Sequence, residues 1–74
     1  MNDYSINVTQ IEEYQNIENV SELEKIFNRA KSTIVNGAIV LLVRKDAAGK
    51  SAKFDELDTL EELEKYRMQV FKYL

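Results

Sequence analysis

From Leu23 onward the apolar residues Ile26, Phe27, Ala30 and Ile34 follow the steps i+3, i+4, i+7 and i+11. Those steps trace one stripe along a helix, predicted over about residues 22–35. Ser21-x-x-Glu24 stands just before the stripe at capping-box spacing. Glu22 and Glu24 come early and Arg29 and Lys31 late, the order a helix dipole favours. Asn36-Gly37 ends the pattern in one of two ways. It could cap the helix through a left-handed residue, or form a type I′ turn between Thr33–Val35 and Ala38–Val40. The unbroken stripe through Ile34 favours the cap.

The spacing then changes. Ala38-Ile39-Val40-Leu41-Leu42-Val43 is the longest apolar run, rich in β-branched residues and followed by Arg44-Lys45. A short run of this kind reads as a strand that is apolar on both faces. Asp46-Ala47-Ala48-Gly49 supplies a turn, and Lys50-Ser51-Ala52-Lys53-Phe54 a shorter, more polar strand. The pair predicts a β-hairpin over about 38–45 and 50–54. Beyond it, Leu60, Leu63, Tyr66, Val70 and Tyr73 or Leu74 recur at helical spacing after Asp58-x-x-Glu61, with Phe71 beside them. That predicts a last helix over about 59–73, started by a capping box.

The N-terminal segment carries two signals. Tyr4-Ser5-Ile6-Asn7-Val8 alternates with period two, as a half-buried strand does. Ile11, Tyr14 and Ile17 recur every three residues after Thr9-x-x-Glu12, which predicts a helix over about 10–18. Both fit only with a tight join near Thr9. The expected architecture is a two-layer α+β single domain over residues 1–74, its hairpin packed by helices. The helices would cover either Ile39, Leu41 and Val43 or Val40 and Leu42. A second copy could then cover the other face, or the segment Tyr4–Ile17 could wrap over it.

Composition narrows the function by exclusion. Seventy-four residues form one small core, and the usual reinforcements are missing because the chain has neither cysteine nor histidine. That removes disulfides, thiolate or imidazole metal sites and histidine-dependent catalysis. Hydrophobic residues make up 45% and charged residues 31%, a globular rather than a disordered balance. No basic-then-apolar leader opens the chain, and no run approaches the roughly 20 apolar residues of a membrane helix. The expectation is a cytoplasmic protein with no membrane partner.

The net charge of −3 is unevenly spread. Residues 1–37 and 55–74 each carry six acids and three bases, whereas 38–54 carry one acid and four bases. Arg44, Lys45, Lys50 and Lys53 therefore gather on the predicted hairpin, where they could touch phosphates or an acidic protein surface. Lysines also guard exposed sheet edges without binding anything, and no aromatic residue stands among the four to stack a base. The chain's overall acidity argues against a nucleic-acid partner. Asp55, Glu56, Asp58, Glu61 and Glu62 form an acidic run, but an EF-hand loop counted from Asp55 puts Leu60 where glycine is needed. Carboxylates at a helix start are favoured by the dipole alone.

No phosphate-binding glycine loop and no nucleophile elbow appears. Paired carboxylates need a sheltered pocket to do acid–base work, which so small a core does not promise. The residues imply no catalytic set, no cofactor, no metal and no small-molecule substrate.

The stretch "AIVLLVRKDAAGKSAKF" leading into "LEELEKYRMQVF" is similar in layout, over residues 22–72, to the bacteriophage head–tail joining protein W family. The resemblance implies helix, basic hairpin, helix and a role in assembly through the bases. That family carries a basic tail, whereas the third segment here is acidic. The residues themselves point to a small non-enzymatic interaction domain whose partner is a protein, another copy of itself among the candidates. Arg44, Lys45, Lys50, Lys53, Phe71, Tyr73 and Leu74 are its candidate contact residues.

Overall fold

The computed structural model describes residues 3–72 and 74. A first strand, β1 (Tyr4–Asn7), runs straight into helix α1 (Val8–Asn16). Helix α2 (Val20–Val35) follows, then strands β2 (Val40–Lys45) and β3 (Ser51–Leu57), then helix α3 (Leu60–Lys72). The strands form one sheet in the order β1-β2-β3. β1 lies parallel to β2, pairing Tyr4 with Val40 through Asn7 with Val43, and parallel neighbours need a crossover, here supplied by α1 and α2. β3 returns antiparallel to β2. The hairpin is thus the larger part of a three-stranded α+β sheet.

Helix α2 is the expected one. Leu23, Phe27 and Ala30 are buried along its stripe, with Ile26 and Ile34 partly so. Its end is the cap rather than the hairpin turn. Gly37 takes φ +87°, its N–H donates to the Ile34 carbonyl at 2.9 Å, and the Ala38 N–H donates to Thr33 at 3.1 Å. This is the paired closure of a Schellman motif, which glycine adopts without strain.

The helix starts differ from all three capping boxes read in the sequence. The side-chain oxygen of Asn7 accepts from the Thr9 N–H at 3.0 Å, that of Asn19 from Glu22 at 3.3 Å, and Thr59 Oγ1 from Glu62 at 3.1 Å. Helices α1 and α2 therefore begin two residues earlier than expected, and α3 one residue later, capped by Thr59 rather than Asp58. Asparagine caps as well as serine or threonine does, and an S/T-x-x-E spacing downstream of it loses the competition.

β3 is longer than expected and takes Asp55 and Glu56 into the sheet, away from the helix start where they were read. It also carries a bulge. Leu42 pairs with Asp55 and Val43 with Lys53, so Phe54 is the extra residue.

All three helices lie on one face of the sheet. Ile6, Val40, Leu42 and Leu57 are buried there with Val8, Ile11, Leu23, Phe27, Leu63 and Val70. Of the two faces open from the sequence, Val40 and Leu42 are the covered one. β1 extends the sheet at its edge and α1 joins the other helices, so the segment Tyr4–Ile17 does not wrap over the second face. Ile17 and Leu60, read into helix stripes, are 68% and 44% exposed at helix ends. Among the described residues no helix is long and apolar enough to cross a membrane.

Candidate functional site

Strand alternation divides the four hairpin bases instead of gathering them. Arg44 points to the helix side, two residues after the buried Leu42, while Lys45 and Lys53 share the opposite face with Val43. Lys50 stands in the turn. There Asp46 Oδ1 accepts from the N–H groups of Ala48 and Lys50, both at 2.9 Å, and Gly49 takes φ +82°. Two of the four bases are already paired. Arg44 donates to Glu12 Oε1 on α1 at 2.8 Å, and Lys53 lies 3.5 Å from Glu56. The hydrogen bond to Glu12, and then the charge of that carboxylate, hold the Arg44 guanidinium above its usual range.

The three C-terminal candidates also separate. Phe71 packs into the core, its ring 5.9 Å from that of Phe27, with the Arg67 guanidinium 4.9 Å over its face. Leu74 is partly exposed, and Tyr73 lies outside the described residues.

What the fold does bring together is a cleft of about 340 Å³ between the hairpin, α1 and α3. Its apolar walls are Val8, Ile11, Leu42 and Val70. Gln15 ties the two helices across it, donating to the Val70 carbonyl at 3.0 Å. The Glu12–Arg44 pair and Asp55 line it as well, and the bulge turns Phe54 toward it.

Tyr66 completes the wall. Its ring meets Phe27 at 5.7 Å, while its hydroxyl is sealed from solvent without a hydrogen-bond partner among the described residues. Burial pushes the phenol up to about 12, the Glu12 carboxylate adding to the rise and Arg44 opposing it. The hydroxyl is therefore a neutral donor at ordinary pH.

Sequence reasoning placed Tyr66 in a core stripe and Glu12 in a capping box, and so missed this constellation. The one available signal was Phe54, a large apolar residue between Lys53 and Asp55.

The acidic run is split between strand and helix. At the start of α3, a hydrogen bond and charge repulsion between Asp58 and Glu62 raise the Glu62 carboxyl above its ordinary range. Among the described residues no three acidic side chains come together as metal ligands would.

No protein-family model, curated protein or solved structure matches the chain. The likeness to the head–tail joining family therefore stands on layout alone.

Proposed function

We propose that this chain is a small, non-enzymatic, cytoplasmic interaction domain that associates with a second copy of itself through the open face of its sheet. The observation that carries the reading is the fate of the central strand. Its residues Val40 and Leu42 are sealed under three helices, whereas Leu41 and Val43 face the other way, outside the buried core and only half-buried. Cross-strand pairing sets Ser5, Asn7, Lys53 and Glu56 beside them, an apolar centre with a polar rim. Two copies related by a twofold axis present the same patch to each other. Lys53 and Glu56, of opposite sign on one face, suit such self-complementary packing.

Size sets the strength. Six residues at about 3.3 Å and three strands at about 4.8 Å give a face roughly 20 by 14 Å. That is well below the roughly 800 Å² per partner of a standard interface, so the association is reversible rather than obligate. The alternative role, an assembly adaptor working through the hairpin bases, has less support because Arg44 and Lys53 are engaged within the chain.

Sedimentation equilibrium from micromolar to near-millimolar concentration tests the reading. The mass should rise above 8.6 kDa with concentration, and Leu41→Lys with Val43→Lys should hold it at the monomer value while far-ultraviolet circular dichroism stays unchanged. A wild-type mass fixed at 8.6 kDa throughout would defeat the proposal. Association unaltered by the double variant would move the interface elsewhere.

A further inference from the structure

Buried polar atoms in folded proteins are nearly always hydrogen-bonded, so the unpartnered hydroxyl of Tyr66 calls for a reason. A phenylalanine would keep the ring's packing on Phe27 and remove the unsatisfied group. Tyr66 is one of the residues lining the cleft between the hairpin, α1 and α3, on the helix side of the sheet, with its hydroxyl covered in this arrangement. At about 340 Å³ the cleft falls at the small end of the 300–1,000 Å³ typical of small-molecule sites.

Its lining restricts what fits. The walls are aliphatic, and Phe54, displaced by the bulge, is 56% exposed at the cleft, an aromatic surface available to stack on a ring. The guanidinium of Arg44 is already engaged by Glu12 at 2.8 Å. Asp55 has no cationic partner among the described residues, so the lining disfavours an anion. The neutral Tyr66 hydroxyl offers one donor. Glu12 and Arg44 lie close enough to act on the Tyr66 phenol and are each about half exposed, so the pair turning aside as a unit, still joined, would admit a ligand oxygen to the hydroxyl without freeing the guanidinium.

We infer that the cleft binds a small uncharged molecule with a ring-sized apolar body and a carbonyl oxygen that accepts a hydrogen bond from Tyr66 Oη. The site lies on the opposite side of the sheet from the self-association face, so either reading can fail without the other.

A nitrogen–proton correlation titration of the full chain with benzamide tests it, with toluene and benzoate as comparison probes. Benzamide should give saturable shifts confined to cleft residues, Glu12, Leu42, Phe54, Tyr66 and Val70. Tyr66→Phe, which should fold at least as stably as the wild type, should weaken benzamide about three- to tenfold, the worth of one hydrogen bond. It should leave toluene unaffected, and benzoate should bind the wild type more weakly than benzamide. Shifts absent from the cleft or spread over the whole surface overturn the inference. So does equal affinity of benzamide for wild type and Tyr66→Phe, or benzoate binding as well as benzamide.

Discussion

The rings of Phe27 on α2 and Tyr66 on α3 meet with centroids 5.7 Å apart and planes inclined at 58°. The same Phe27 ring also meets Phe71, five residues further along α3, with centroids 5.9 Å apart. Tilted aromatic pairs add to what area burial alone supplies, and Phe27 is 3% exposed. It is the residue that fastens the second helix to the third.

Phe27→Ala should therefore destabilise the fold by about 3–5 kcal/mol, a large part of the total for a domain this small. Leu63→Ala, on the facing side of α3 and equally buried, should lose about 2–5 kcal/mol. Urea denaturation measures both. A loss well under 1 kcal/mol for either would mean that α3 is not packed on α2 as described.

Capping offers a sharper comparison. Asn19 caps α2 by accepting from the Glu22 N–H, whereas Ser21 is an exposed residue of its first turn. Asn19→Ala should lose about 1 kcal/mol and Ser21→Ala less than about 0.5 kcal/mol. Thermal or urea midpoints in the reverse order would restore the capping box at Ser21.

These comparisons show what the sequence makes legible. The stripe of α2 is readable because helical periodicity is local and the same residues must face the same core. Asn36-Gly37 resolves by the same logic, since the stripe runs up to the cap. The helix starts are less legible because several residues of similar capping strength compete for the same orphan amides: Asn7 and Asn19 win upstream of Thr9 and Ser21, whereas Thr59 wins downstream of Asp58. β3 extends to Leu57 because pairing with β2 overrides the polarity of Asp55 and Glu56, which alone resembles a helix start. The cleft was beyond reach. Glu12, Arg44 and Tyr66 are far apart in the chain, and only the three-dimensional packing sets them around one space.

The Glu12–Arg44 pair is short but exposed on both sides, so its role is geometric more than energetic. A double-mutant cycle with Glu12→Gln and Arg44→Gln should find a weak coupling in low salt. At about 1 M salt, where charges are screened beyond about 3 Å, the coupling should disappear. A strong coupling that survives such salt would show the pair to be shielded from water.

Tyr66 makes the stability of the fold depend on alkaline pH. Its phenol titrates at about 12 in the folded protein against 10.0 for a free tyrosine, chiefly because burial disfavours the phenolate. The unfolded chain therefore gives up this proton first. Below pH 10 both states hold it, and stability does not depend on pH through this group. Between pH 10 and about 12 the unfolded state carries fewer protons than the folded one, so stability falls as pH rises. Lysines titrate in the same window, so the comparison must be made against a variant that lacks only the phenol. Tyr66→Phe should match or exceed the wild type below pH 10, and its stability should decline less steeply above it. Urea denaturation of both proteins across this range reads the difference directly. Parallel declines would mean that the folded state does not hold the hydroxyl in the buried, unpartnered setting that defines the cleft.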